Sequence, residues 1–86
     1  MVTVKRFTAP WCAPCRMLVP TFKQLEFEMP DVKFETIDVE LNPELAKEYS
    51  VTSVPTVMIY NEEKLVDTII GATNKNKYIE SITSAK

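Results

Sequence analysis

Apolar positions along this chain change their period several times, and each change marks an element. Val2 to Phe7 reads as a strand. Thr8-Ala9-Pro10 closes it, because proline cannot donate to a sheet ladder. From Ala13 to about Phe27, Met17, Leu18, Phe22 and Leu25, together with Val19, recur near helical spacing. Pro20 lies inside that stretch and removes one backbone donor, so a kink is expected there. Met29-Pro30-Asp31 ends the helix, and Val32 to Val39 then alternates, with one slip, as a second strand.

Asn42-Pro43 starts a short helix, with Asn42 as N-cap and Pro43 at the first helical position. Glu44 to Tyr49 carries Leu45, Ala46 and Tyr49 on that helix. Val51-Thr52-Ser53-Val54-Pro55 leads into a third strand, Thr56 to Tyr60. Asn61-Glu62-Glu63-Lys64 reads as a hairpin turn without glycine, and Leu65 to Ile70 as the fourth strand. After Gly71, Thr73 or Asn74 caps a last helix whose Tyr78, Ile79 and Ile82 form one apolar face. The order β-α-β-α-β-β-α predicts one α/β domain over residues 1–86, a four-stranded mixed sheet flanked by helices. Its first β-α-β unit should be parallel and right-handed, its last two strands an antiparallel hairpin.

Composition narrows the function classes. The 86 residues allow a single core, and 45% hydrophobic with 26% charged residues is ordinary for a globular protein. Ten basic against twelve acidic residues leave a net charge of −2, which argues against a nucleic-acid partner. No apolar run approaches the roughly 20 residues of a membrane span. No charged segment followed by an apolar run opens the chain, so cytoplasmic residence is the expectation. Two cysteines are too few to staple a small secreted scaffold, so the core must hold the fold.

Those two cysteines lie in Trp11-Cys12-Ala13-Pro14-Cys15, at the junction of strand and helix. Thiol–disulfide exchange needs a thiolate attacker and a second thiol near enough to resolve the mixed disulfide. Cys12, near the N-cap, meets unpaired backbone N–H groups and the positive end of the helix dipole, which favour a thiolate. Cys15 follows one turn later on the same face. Pro14 stiffens the first turn at no cost in hydrogen bonds. Trp11 is either an apolar wall for a substrate chain or part of the core. A metal site needs about four ligands, and this chain has two cysteines and no histidine. So short a loop makes a poor structural disulfide. Redox chemistry is the reading that remains, with no metal and no cofactor beyond the cysteine pair. Val54-Pro55-Thr56 is a second clue. Pro55 either leads a strand in the ordinary trans form or is cis, leaving Val54 free to pair with an extended substrate.

Taken together, Trp11-Cys12-Ala13-Pro14-Cys15, Asn42-Pro43, Ser53-Val54-Pro55-Thr56 and Gly71-Ala72 resemble the thioredoxin family over essentially the whole chain. The resemblance implies a dithiol–disulfide oxidoreductase that reduces protein disulfides, with Cys12 as nucleophile and Cys15 as resolving thiol. It implies a cis Pro55 and a protein-binding groove of Trp11, Ala13, Pro14, Val54, Pro55, Gly71 and Ala72. Its partners would be disulfide-containing target proteins and a thioredoxin reductase or equivalent electron donor, with a monomer as the family expectation. The match begins at the family's second strand, so one sheet face should be covered only by the Asn42–Tyr49 helix. Ala13 stands where the family motif usually has glycine, Thr8 replaces a usual tryptophan, and Glu63 a hairpin glycine. Beneath the site the family usually buries an aspartate beside a lysine, and the matching positions here are Arg6 and Thr36. Asp38 lies on the same strand face as Thr36, so Arg6 and Asp38 could form a reversed, thiol-tuning ion pair near Cys15. Alternatively Arg6 extends to solvent across the thinly covered face.

Three other functions compete. A glutaredoxin-like, glutathione-dependent reductase suits the short length but lacks the expected Gly-Gly pair. A thioredoxin-fold binding module would not need both cysteines. An oxidase or isomerase of a secretory compartment would usually carry a histidine between them.

Overall fold

The computed structural model describes residues 1–86. Its elements are β1 (Val2–Thr8), α1 (Ala13–Glu28), β2 (Lys33–Asp38), α2 (Pro43–Glu48), β3 (Thr56–Asn61), β4 (Lys64–Ile70) and α3 (Lys75–Ala85). All seven stand in the order that the hydrophobic pattern predicts. The sheet order is β2-β1-β3-β4, with β1 and β2 parallel and the other pairs antiparallel. β1 is thus hydrogen-bonded on both sides, which fixes where the chain leaves the sheet toward α1.

The two faces of β1 carry different chemistry. Val2 and Val4 join Leu18, Phe22 and Leu25 of α1 and Tyr78, Ile82 and Ala85 of α3 in the main core. Val57, Ile59 and Ile69 close that core from β3 and β4. Burying such side chains stabilises by about 1.5–3 kcal/mol each, which is what holds the two helices on the sheet. Pro20 does not interrupt α1, which runs as one helix of 16 residues with Pro20 on its exposed side. Asn74 is the cap of α3, its side chain accepting the Lys77 N–H at 2.9 Å.

On the opposite face α2 buries no residue of its own, and its C-cap Tyr49 makes the aromatic contacts with the sheet. Phe7 packs on Tyr49 with ring centres 5.7 Å apart, and Tyr49 on Tyr60 at 6.4 Å. Lys5 Nζ lies 5.4 Å from the Tyr49 ring and 5.8 Å from that of Tyr60. It donates to Glu35 Oε1 at 2.7 Å, while Lys33 reaches Glu35 Oε2 at 3.3 Å. Polar groups that satisfy one another therefore finish a surface that α2 is too short to cover.

One expectation about α2 changes. Asn42 holds the N-cap position but makes no side-chain cap bond. Its amide donates instead to the Asp38 carbonyl at 3.1 Å, because the Asp38–Asn42 turn folds back on itself. The helix ends in a Schellman motif: Val51 N–H donates to the Ala46 carbonyl at 2.8 Å and Ser50 N–H to that of Lys47 at 3.1 Å. Ser50 takes φ 58° there, a conformation glycine adopts without steric cost.

Ser50→Gly should therefore stabilise the protein by about 0.5–1 kcal/mol, read from the midpoint of chemical denaturation. The Lys5 hydrogen bond, with Lys33 adding to it, holds the Glu35 carboxyl below its ordinary 4.5, and Glu35 in turn raises Lys5 above 10.5. A depressed carboxyl stabilises the fold above its unfolded pKa and loses that contribution as acid protonates it. The stability gap between the wild type and Glu35→Gln should accordingly stay level down to pH 4.5 and narrow below it, as thermal unfolding across that range would show.

Candidate active site

α1 begins on a sulfur. Cys12 is its N-cap, in extended conformation, and Cys12 Sγ accepts the Cys15 N–H at 3.2 Å. Its own N–H donates to the Ala9 carbonyl at 3.2 Å, and Arg16 N–H to the Cys12 carbonyl at 3.1 Å. Pro14 lies in the first turn, where a missing N–H leaves nothing unpaired. Cys12 and Cys15 form a disulfide across this turn, with Cα atoms 5.2 Å apart. Both sulfur residues are buried, at 5% and 1% exposure, so Cys12 is the more accessible of the two. Ala9, Val39 and Val54 make the apolar cup around them.

The Val54–Pro55 peptide is cis. Pro55 is buried, while the Val54 carbonyl oxygen lies 3.7 Å from Cys12 Sγ. Gly71 N–H donates to the Pro55 carbonyl at 2.8 Å, joining the segment after β4 to this loop. Gly71 needs φ +88° for that geometry, although a Cβ there would meet nothing within 4 Å. Ala13, Pro14 and Ala72 lie exposed on the two sides. The predicted groove residues are thus supplied by three segments: the start of α1, the Val54-Pro55 loop and the Gly71-Ala72 turn.

Trp11 stands outside the core, at 64% exposure. Its indole N–H donates to Glu40 Oε1 at 2.5 Å. A cleft of about 250 Å³ opens beside it, lined by Val39, Val51 and Val54 among others. Arg16 Nη1 donates to the Pro10 carbonyl at 2.9 Å and ties the turn before the cysteines to α1. Sequence reasoning missed both Glu40 and Arg16. Only the nearness of Arg16 to the motif signals it; Glu40 meets Trp11 through the fold.

The expected Arg6–Asp38 pair does not form. Register sets Arg6 beside Thr36, and Arg6 Nη2 donates to Thr36 Oγ1 at 3.3 Å. Asp38 Oδ1 is occupied by the amides of Glu40 at 2.8 Å and Leu41 at 3.3 Å, which hold the turn after β2. The solvent route also fails: Arg6 is 8% exposed and points toward α1, its Cζ 5.0 Å from the Phe22 ring centre. Burial lowers its pKa from the ordinary guanidinium value.

A cysteine pair closed at a helix N-terminus, facing an open groove with unpaired backbone, is the site of a thiol–disulfide oxidoreductase. The thioredoxin family model matches residues 1–84, and the chain belongs to that family. It is 36% identical over 77 residues to the thioredoxin of Chlamydia trachomatis, covering 90% of this chain and 76% of that protein. It is 38% identical over 82 residues to the thioredoxin of Bacillus subtilis, covering 94% and 79% respectively. A solved Fasciola hepatica thioredoxin superposes with a TM-score of 0.92 and 42% identity, over 99% of this chain and 81% of that one. A chain from a structural study of thiol resolution in yeast mitochondrial 1-Cys peroxiredoxin, via glutathione and thioredoxin systems, gives 0.90 and 36% identity. Coverage is 96% of this chain and 77% of that one. The chain spans 64% to 79% of the curated relatives' own lengths. These relatives favour protein-disulfide reduction over the glutaredoxin-like and binding-module readings.

The Glu40 carboxylate should orient Trp11 rather than take part in exchange. Glu40→Ala should alter the fluorescence of the single tryptophan and slow reaction with a protein disulfide a few-fold. Reduction of the Cys12–Cys15 bond by a small dithiol should keep its wild-type rate.

Proposed function

We propose that the chain reduces disulfides in target proteins, with Cys12 as the attacking thiolate and Cys15 as the resolving thiol. The observation that carries the assignment is the position of Cys12 Sγ at the N-cap of α1, accepting the Cys15 N–H at 3.2 Å. In the dithiol form that N–H and the helix dipole stabilise negative charge on this sulfur more than on any other. Cys12 is also the less buried of the pair. An incoming disulfide would be attacked by Cys12, forming a mixed disulfide and releasing one target thiolate. Cys15 would then attack Cys12 Sγ, restoring the internal disulfide and releasing the second target thiolate, so two electrons pass to the target.

The groove supplies recognition. Val54 precedes β3 with its backbone outside the sheet ladder, available to an extended target segment. Trp11, Ala13 and Pro14 would flank that segment on one side, Pro55, Gly71 and Ala72 on the other. The solved chain from the peroxiredoxin study supports a protein disulfide as the substrate class. Continued turnover requires a dithiol electron donor of the thioredoxin-reductase kind. The reading fits a monomer in a reducing compartment such as the cytoplasm, where the donor keeps the pair open.

Insulin reduction driven by dithiothreitol tests the roles. Cys12→Ser should abolish turnover and form no covalent adduct with insulin. Cys15→Ser should also lose turnover, yet accumulate a mixed disulfide through Cys12, visible on a non-reducing gel. Adduct formation by the Cys12→Ser variant instead would reverse the two assignments.

A further inference from the structure

Arg6 is the one charged side chain among the buried residues, and nothing of opposite charge touches it. Its Nε has no hydrogen-bond partner, and its contact with Thr36 is a 3.3 Å bond to a neutral hydroxyl. None of the protein's ion pairs includes it. The Phe22 ring lies below its guanidinium, and the neighbouring Tyr78 hydroxyl is equally without a partner. A buried unpaired cation is costly, and an apolar side chain of similar volume is usually at least as stable. The cost calls for a role.

Phe22, Leu18 and Cys15 lie on the same buried stripe of α1. At ~1.5 Å per residue, Phe22 is roughly 10 Å along the helix from Cys15. Leu18, 3% exposed, lies between them, and added salt screens a path through such packed side chains less than a surface path. We propose that Arg6 tunes the cysteine pair through the core, stabilising the thiolate of the dithiol form and so shifting the pair toward its reduced state. Arg6 touches no reacting atom; it is a tuning residue. The proposal rests on the reading that the pair cycles between disulfide and dithiol.

Other charges near the path are accounted for. Glu26 of α1 makes no ion pair with Arg6 but attracts its charge from the exposed side of the helix, and Tyr78 of α3 has its pKa raised by burial. Around the sulfurs, the exposed Arg16 sits on the Pro10 carbonyl. Glu40 and Asp38 oppose Arg6 in sign, but both are hydrogen-bonded at the wetter rim, where water weakens their effect. Arginine remains charged over the whole range in which thiols titrate.

Equilibrium with glutathione reads the effect directly. Two glutathione thiols join as glutathione disulfide, giving two electrons and two protons. The Cys12–Cys15 bond opens and takes the electrons, with one or both protons on its sulfurs according to pH. The cation acts only on an ionised sulfur, which makes the effect pH-dependent in a defined direction. Arg6→Met keeps an unbranched stem against Phe22 and removes the charge. A unit charge ~10–15 Å away in an interior of effective dielectric ~20 moves a thiol pKa by about one unit.

Arg6→Met should raise the lower thiol pKa by about one unit, followed by thiolate ultraviolet absorbance. Above that pKa the glutathione equilibrium should move about tenfold toward the disulfide, equivalent to about 30 mV. Below it, where both thiols are protonated in either protein, the two equilibria should converge. Should the methionine variant not fold, Arg6→Gln removes the same charge while keeping a donor for Thr36. A folded variant with unchanged thiol pKa overturns the proposal. So does a shift of equal size at every pH, which would assign Arg6 to packing. Neither outcome touches the reductase reading, which stands or falls with the Cys12 and Cys15 variants.

Discussion

The hydrogen bond from the Cys15 N–H to Cys12 Sγ joins the fold to its chemistry. Every helix must find partners for its first amides, and most use a side-chain oxygen. α1 uses the sulfur of its own redox pair. Capping the helix and stabilising a thiolate thus become one interaction. Its placement depends on β1, which is held between β2 and β3 and delivers Ala9 into the apolar cup beneath the sulfurs. A slip of β1 by one residue would send Val2, Val4 and Arg6 to the wrong face and move the helix start with them.

The two faces of the sheet solve burial differently, and the difference explains the charge pattern. On the α1–α3 face, aliphatic and aromatic side chains fill the interior, and Arg6 stands among them without a counter-ion. On the α2 face, Lys5 lies against Tyr49 and Tyr60 and pairs with the half-buried Glu35, so each charge satisfies the other. A cation in an ion pair near water contributes little beyond its own surroundings. One without a partner in the core projects its field toward whatever can ionise. Lys5 and Arg6, adjacent in sequence, therefore do unlike things because β1 turns them to opposite faces.

Local signals were legible in the sequence. The stripe Cys15, Leu18, Phe22 and Leu25 has helical period, Asn74 caps the helix it precedes, and β3 and β4 form the expected hairpin. The cysteine pair was legible too, because its spacing carries it, and the cis Pro55 came with the family resemblance. What stayed hidden depends on competition between polar groups. Asp38 shares a strand face with Thr36, but register sets it beside Thr8, and two amides of its own turn take its carboxylate. Asn42 lost its capping bond to the same turn. Trp11 and Glu40 meet only because β2 and α1 leave the sheet on the same side, which no short window contains.

The single glycine indicates which constraint is strictest. Three residues take positive φ: Ser50, Glu62 and Gly71. Serine and glutamate occupy two of them, at the end of α2 and in the β3–β4 turn, so the chain tolerates steric cost where only stability is involved. Glycine stands at the third, beside Pro55, and open space around it shows that side-chain room is not the reason. The reason is backbone direction. Gly71 must aim its N–H at the Pro55 carbonyl, and that bond ties the segment after β4 to the loop that faces Cys12. A strained residue there would relax by moving one loop against the other, and the loop beside Cys12 cannot absorb such movement as a peripheral turn can.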